Sequence, residues 1–104
     1  MLIKHNKLVR DKIPEIIRQK GDIPKTVTLD DEAYFQCLNQ KLKEEVDEYF
    51  EAYDTEELAD ILEVVYAIAK YKGLSIDELT NMRLKKRNDR GGFDERVFLV
   101  EVLE

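Results

Sequence analysis

A chain of 104 residues is long enough for one domain with a modest core, and its only cysteine, Cys37, excludes an intrachain disulfide. The formal charge of −6 is unevenly spread: residues 1–25 carry +4, residues 26–82 carry −11 and residues 83–104 carry +1. An acidic centre excludes the broad basic surface of a duplex DNA binder, and no apolar run reaches the ~20 residues of a membrane span. Lys4, Lys7 and Arg10 also interrupt any signal-peptide core, so a soluble chain in the reducing cytoplasm is expected.

Residues 2–9 start extended, and Asp11 to Gln19 reads as a short helix with Pro14 in its first turn, where a missing N–H costs little. Lys20 and Gly21 stop it. The stretch Asp22 to Leu29 holds Pro24 and four β-branched residues and reads as irregular. A long helix follows from an N-cap at Asp30 to about Ala52, with an apolar stripe of Phe35, Leu38, Leu42, Tyr49 and Ala52. A second helix runs from Asp54 or Thr55 to Lys72 and stops at Gly73 as its C′ residue. Its segment LADILEVVYAIA is apolar around most of its circumference, which calls for packing partners on more than one side, one of them another subunit. Ser75 and Glu78 form a capping box for a third long helix ending near Arg90, before Gly91 and Gly92. The tail VFLVEVL has the composition of a short strand, and the extended amino terminus is a candidate to pair with it. The fold expected is an all-α antiparallel helical bundle completed by oligomerisation, as one domain over residues 1–104, with short extended segments at both ends.

Two acidic spacings interrupt the apolar pattern. Glu45 falls at the position missing from the first long stripe, and Glu57 and Asp60 extend the seam of Val64, Ala67 and Tyr71 backwards. Acids three apart on a helix stand side by side. Most such pairs only solvate a helix face, and Glu57 could simply serve as the N3 member of a capping box with Asp54. Glu45 and Asp60 are different, because a carboxylate on an apolar seam loses hydration and must be paired or bound to a metal. The two helices offer only Lys41, Lys43, Lys70 and Lys72 as cations, so a divalent ion is the economical partner. His5 is the only histidine and lies outside both helices, against a di-iron bundle site, which needs Glu-x-x-His on two helices. Oxygen ligands alone suit magnesium, with manganese as a substitute.

Arg83, Lys85, Lys86, Arg87 and Arg90 crowd the third long helix, with Lys86 and Arg90 on one face. A solvated basic face is the ordinary reading. Gly91 and Gly92 just beyond either stop the helix or let backbone N–H groups approach a phosphate. Phe93 reads as a base-stacking residue or a core residue. Near the amino terminus, Lys7, Arg10 and Lys12 surround Leu8, Val9 and Ile13, the pattern of an amphipathic arm.

EEVDE at Glu44 to Glu48, followed by ELAD at Glu57 to Asp60, resembles the EExxE and ExxD motifs of the all-α nucleoside triphosphate pyrophosphatase superfamily, which includes MazG, the dimeric dUTPases and phosphoribosyl-ATP pyrophosphohydrolase. The opening NKLVRDKIPEII and the late KKRNDRGGF are similar to a small, MazG-like, phosphoribosyl-ATP pyrophosphohydrolase-like branch, so the resemblance spans nearly the whole chain. It implies metal ligation by Glu45 and Glu48 as one pair and by Glu57 and Asp60 as the other, with Glu44 orienting or deprotonating the attacking water. It further implies contacts from Arg10 or Lys12 to nucleotide phosphates or ribose. Lys86 and Arg90 are expected to stabilise charge on the transferring group and departing pyrophosphate. The activity implied is Mg2+-dependent cleavage of a nucleoside triphosphate to monophosphate and pyrophosphate by a homodimer or homotetramer, with housecleaning of non-standard nucleotides as one use. Two rivals stand beside it: the same cleavage on phosphoribosyl-ATP in histidine biosynthesis, and a non-catalytic, cation-binding regulatory or scaffold module.

Overall fold

The computed structural model describes all 104 residues and contains four helices and no strand. They are α1 (Ile13–Gln19), α2 (Asp31–Ala52), α3 (Thr55–Tyr71) and α4 (Ile76–Arg90). Their ends follow local chemistry. Asp30 caps α2 by accepting from the Ala33 N–H at 2.8 Å. Asp54 caps α3 through the Glu56 N–H. Ser75 and Glu78 cap α4 reciprocally, as a full capping box. α1 begins two residues later than expected, at Ile13, with Pro14 inside its first turn.

Only Tyr53 and Asp54 separate α2 from α3. Tyr53 adopts a left-handed backbone (φ 53°), and its N–H closes on the Tyr49 carbonyl at 2.7 Å. That conformation is uncommon for a residue with a side chain, and it lets the chain reverse in two residues. α2 and α3 therefore run antiparallel as a hairpin. At its far end Phe35 stacks on Tyr71 with ring centroids 4.8 Å apart, and Tyr34 meets Tyr71 edge-on at 6.0 Å. Gly73 (φ 85°) turns the chain after α3: the Leu74 N–H reaches Ala69 O and the Gly73 N–H reaches Lys70 O, the paired bonds of a Schellman stop.

α3 packs on α2 along its length and on α4 more briefly, while no Cα of α1 comes within 8 Å of another helix. The tail does not pair with the amino terminus. No ladder forms, and Val97, Phe98, Leu99 and Val100 stand at least 73% exposed. A strand has to find a partner to exist, and composition alone supplies none. Phe93 is 98% exposed, which removes it from the core.

The surface is large for a chain of this length. The chain exposes 9914 Å², where a compact chain of this mass exposes about 6,100 Å². Its radius of gyration is 18.5 Å, against about 13 Å for a compact domain of this length. Four residues are buried: Leu38, Val64, Ala69 and Glu45. The outer face of α3 shows the deficit, with Leu58 and Leu62 about half exposed on a seam whose other end, Ala69, is buried.

Candidate metal centre

Glu45 is buried because it takes an apolar position on the face of α2 that meets α3. The two-residue turn brings the start of α3 back alongside it, and one carboxylate oxygen from each of Glu45, Glu57 and Asp60 falls within 4.8 Å of the others. Three of the four acids expected to bind metal thus converge. Glu48 lies outside that 4.8 Å group but against Glu45 and Glu57, and it also borders the polar outer face of α2.

Each carboxylate of the trio is compensated differently. Lys41, one turn before Glu45, approaches it at 3.2 Å and Glu44 at 3.5 Å. Burial alone would lower the Lys41 ammonium, but Glu45 and Glu44 hold it above its usual value. Asp60 receives Arg10 at 2.7 Å, and the same guanidinium reaches Glu63 at 3.9 Å. Glu57 has no cation. Although its side chain is partly exposed, its Oε2 is shut off from solvent without a hydrogen-bond partner. Loss of hydration, then the contact with Glu45 and the charges of Glu48 and Asp60, push its carboxyl up to about 7. Glu48 is raised as well, by lost hydration first and by the charge of Glu45 next. Glu57 is not the partner of a capping box: Asp54 caps α3 through Glu56, and the Glu57 carboxyl turns to its fellow acids.

The Arg10 pair was not legible from the two helices, whose own lysines are all that their sequences display. Its partner arrives from fifty residues upstream, on the arm before α1. Lys7 of the same arm meets Glu44 at 3.4 Å, so the arm is tied to the acidic face at two points. The available signal was the +4 charge of residues 1–25 set against an acidic centre.

The trio fits a hard divalent cation. It offers only oxygen donors, it includes a buried oxygen without a partner, and its charges repel unless something positive lies among them. Ligand oxygens on one magnesium lie about 3.0 Å apart when adjacent and about 4.2 Å when opposite. The 4.8 Å envelope is slightly wider than that.

Glu45 and Asp60 sit at one end of a cleft of about 850 Å³ bounded by the arm, α2, α3 and the α3–α4 turn. Arg10 and Lys41 line it next to the acids. Of α4, only the first turn reaches the cleft; Lys86 and Arg90 are exposed, form no ion pair and lie outside its lining. Lys12 is likewise exposed. Gly92 passes close to the Arg87 guanidinium, which in turn pairs with Asp94 at 3.5 Å.

No protein-family model matches the chain, and no solved structure does so. It is similar to a protein of Mycolicibacterium smegmatis described as uncharacterized, 50% identical over 52 residues, which are 50% of this chain and 52% of that protein. The chain therefore spans about half the length of the curated relative it matches.

Proposed function

We propose that the chain is a Mg2+-dependent nucleoside triphosphate pyrophosphohydrolase of the MazG-like, phosphoribosyl-ATP pyrophosphohydrolase-like kind. The observation that carries this reading is the convergence of Glu45, Glu57 and Asp60 from two helices, with Arg10 and Lys41 beside Asp60 and Glu45 in one open cleft. An acidic cluster flanked by cations is suited to a polyanion: the acids hold metal, and the cations turn to phosphate oxygens.

Glu45, Glu57 and Asp60 would hold the ion, with Glu48 on the rim as a further ligand. Bound there, magnesium neutralises the polyphosphate and lowers the pKa of water. Glu44, outside the trio and oriented by Lys7 and Lys41, accepts the proton as water oxygen attacks a phosphorus of the α–β bridge. The bridging bond breaks, and the products are the monophosphate and pyrophosphate. Arg10 and Lys41 leave Asp60 and Glu45 to meet the phosphates, with Lys12 at the mouth. Lys86 and Arg90 line no part of the cleft in one chain, so they act on the departing pyrophosphate from a second copy.

The surface excess supports such a homo-oligomer. An excess of about 3,800 Å² over a compact chain exceeds what a standard interface takes from one partner, about 800 Å². Sedimentation equilibrium is expected to give a dimer or tetramer. Pyrophosphate release from a panel of normal and modified nucleoside triphosphates, with magnesium and with EDTA, tests the activity. Magnesium-dependent release is expected. Stabilisation by magnesium with no turnover of any nucleotide would instead mark a cation-binding regulatory module.

A further inference from the structure

The arm of residues 1–12 reaches the acidic trio with little to hold it there. None of those residues is buried, and no backbone hydrogen bond joins them to α2 or α3. Leu8 and Val9 are half-buried along the cleft. The remaining ties are ionic: Lys7 to Glu44 at 3.4 Å, Arg10 to Asp60 at 2.7 Å and Arg10 to Glu63 at 3.9 Å. Every side chain in these pairs is at least 31% exposed, and exposed ion pairs each contribute little. Nor does α1, which follows the arm, bring a Cα within 8 Å of another helix. A segment held so lightly opens at low cost.

Asp60 has two claimants. It makes the arm's shortest tie, and it is one of the three acids that converge. An ion about 2.1 Å from an Asp60 oxygen would stand within about 7 Å of the Arg10 nitrogen, whichever oxygen it took. A guanidinium keeps its charge at every accessible pH, so a dication and the arm repel one another there and compete for one carboxylate. We infer that the arm is a strap, closed over the trio by Arg10 and released when a divalent cation displaces Arg10 from Asp60. The inference rests on the metal reading of Glu45, Glu57 and Asp60 and adds a step ahead of the chemistry. The coupling runs both ways: an arm that opposes the ion when closed must open when the ion binds. Lys41 has no such effect, because it belongs to α2 itself, one turn from Glu45, and carries no other segment with it. Leu8, Val9, Arg10 and Asp11 all line the cleft, so their release widens it beside the ion.

Calorimetric titration with magnesium chloride and limited digestion with trypsin test the strap without any nucleotide. The wild-type chain is compared with Arg10→Gln, Arg10→Lys and Lys4→Gln, Lys4 being a cation of the same arm outside these ion pairs. Arg10→Gln should bind magnesium about fivefold more tightly, the scale of one exposed ion pair. Arg10→Lys, which keeps the charge, and Lys4→Gln should stay within about twofold of the wild type. Saturating magnesium should speed cleavage of the wild-type chain after Lys7 and Lys12 by a similar factor and leave cleavage within α4 unchanged. In Arg10→Gln the arm should be cut quickly with or without the ion. If the wild-type chain binds no magnesium, the metal reading and the strap fall together. If it binds magnesium but Arg10→Gln binds it no more tightly, or cleavage of the arm does not speed up, the strap is overturned and the metal reading stands. An equal gain in Lys4→Gln assigns the effect to net charge and also overturns the strap.

Discussion

The α2–α3 hairpin and α4 each carry a cluster of like charges, and the chain uses the two clusters in opposite ways. In the hairpin, acids from two helices are drawn to one point, part of their charge is met by Lys41 and Arg10, and one carboxyl is pushed up to about 7. In α4, the basic side chains point into water and only Arg87 finds an acid. Charges that converge at a cost in repulsion and lost hydration mark a place where something else is expected to bind. Charges that remain solvated carry no such mark within one chain.

The largest expected effect comes from breaking the convergent side. Asp60→Asn or Glu45→Gln should lower magnesium-dependent pyrophosphate release by about three orders of magnitude, several kcal/mol of metal-derived stabilisation. Far-UV circular dichroism should stay unchanged, since removing charge from a repelling cluster does not threaten the helices. Retained turnover in both variants would show that the trio does not hold the catalytic metal.

The solvated side gives the next effect. Arg90→Ala should lower kcat about a hundredfold, as expected for one charge-stabilising contact. Mixing it with Glu45→Gln should restore part of the activity, because each mixed oligomer then contains a site intact on both sides. No loss in the single variant would leave α4 as a plain solvated helix.

The third contrast is in pH. Glu57 holds its proton more tightly in the folded chain than in the unfolded one, where a carboxyl titrates near its ordinary value. Between about pH 4.5 and 7 the folded state therefore binds more protons, and stability falls as pH rises through that window. Without divalent ions, the melting temperature should decrease from pH 5 to pH 8. Saturating magnesium should flatten the decrease, and magnesium affinity should weaken below pH 7 as protons compete for Glu57. A metal-free melting temperature that rises with pH would contradict this. The smallest effect is at the start of α4: Ser75→Ala should cost about 1 kcal/mol in thermal or urea unfolding, with turnover unchanged.

The helices and their caps could be read from the sequence because their causes are local. Asp30, Ser75, Glu78 and Gly73 each act within a few residues of a helix end. The convergence of Glu45 with Glu57 and Asp60 was also legible, since a short connection forces α3 to retrace α2 and two stripes then define one interface. What escaped the sequence was non-local. Arg10 reaches Asp60 across fifty residues, and no periodicity announces such a contact. The tail has the composition of a strand but no strand beside it, so pairing did not follow from propensity.

The two-residue reversal at Tyr53 and Asp54 also acts as a counting device. Each residue added to or removed from a helix turns everything beyond it by about 100° and shifts it by about 1.5 Å. One residue inserted between Glu45 and Ala52 would swing Glu45 away from Glu57 and Asp60 while leaving every capping residue intact. Such a chain would still form four helices, yet it would have lost its alignment of acids, so this interval is where the chain's length, more than its composition, carries information.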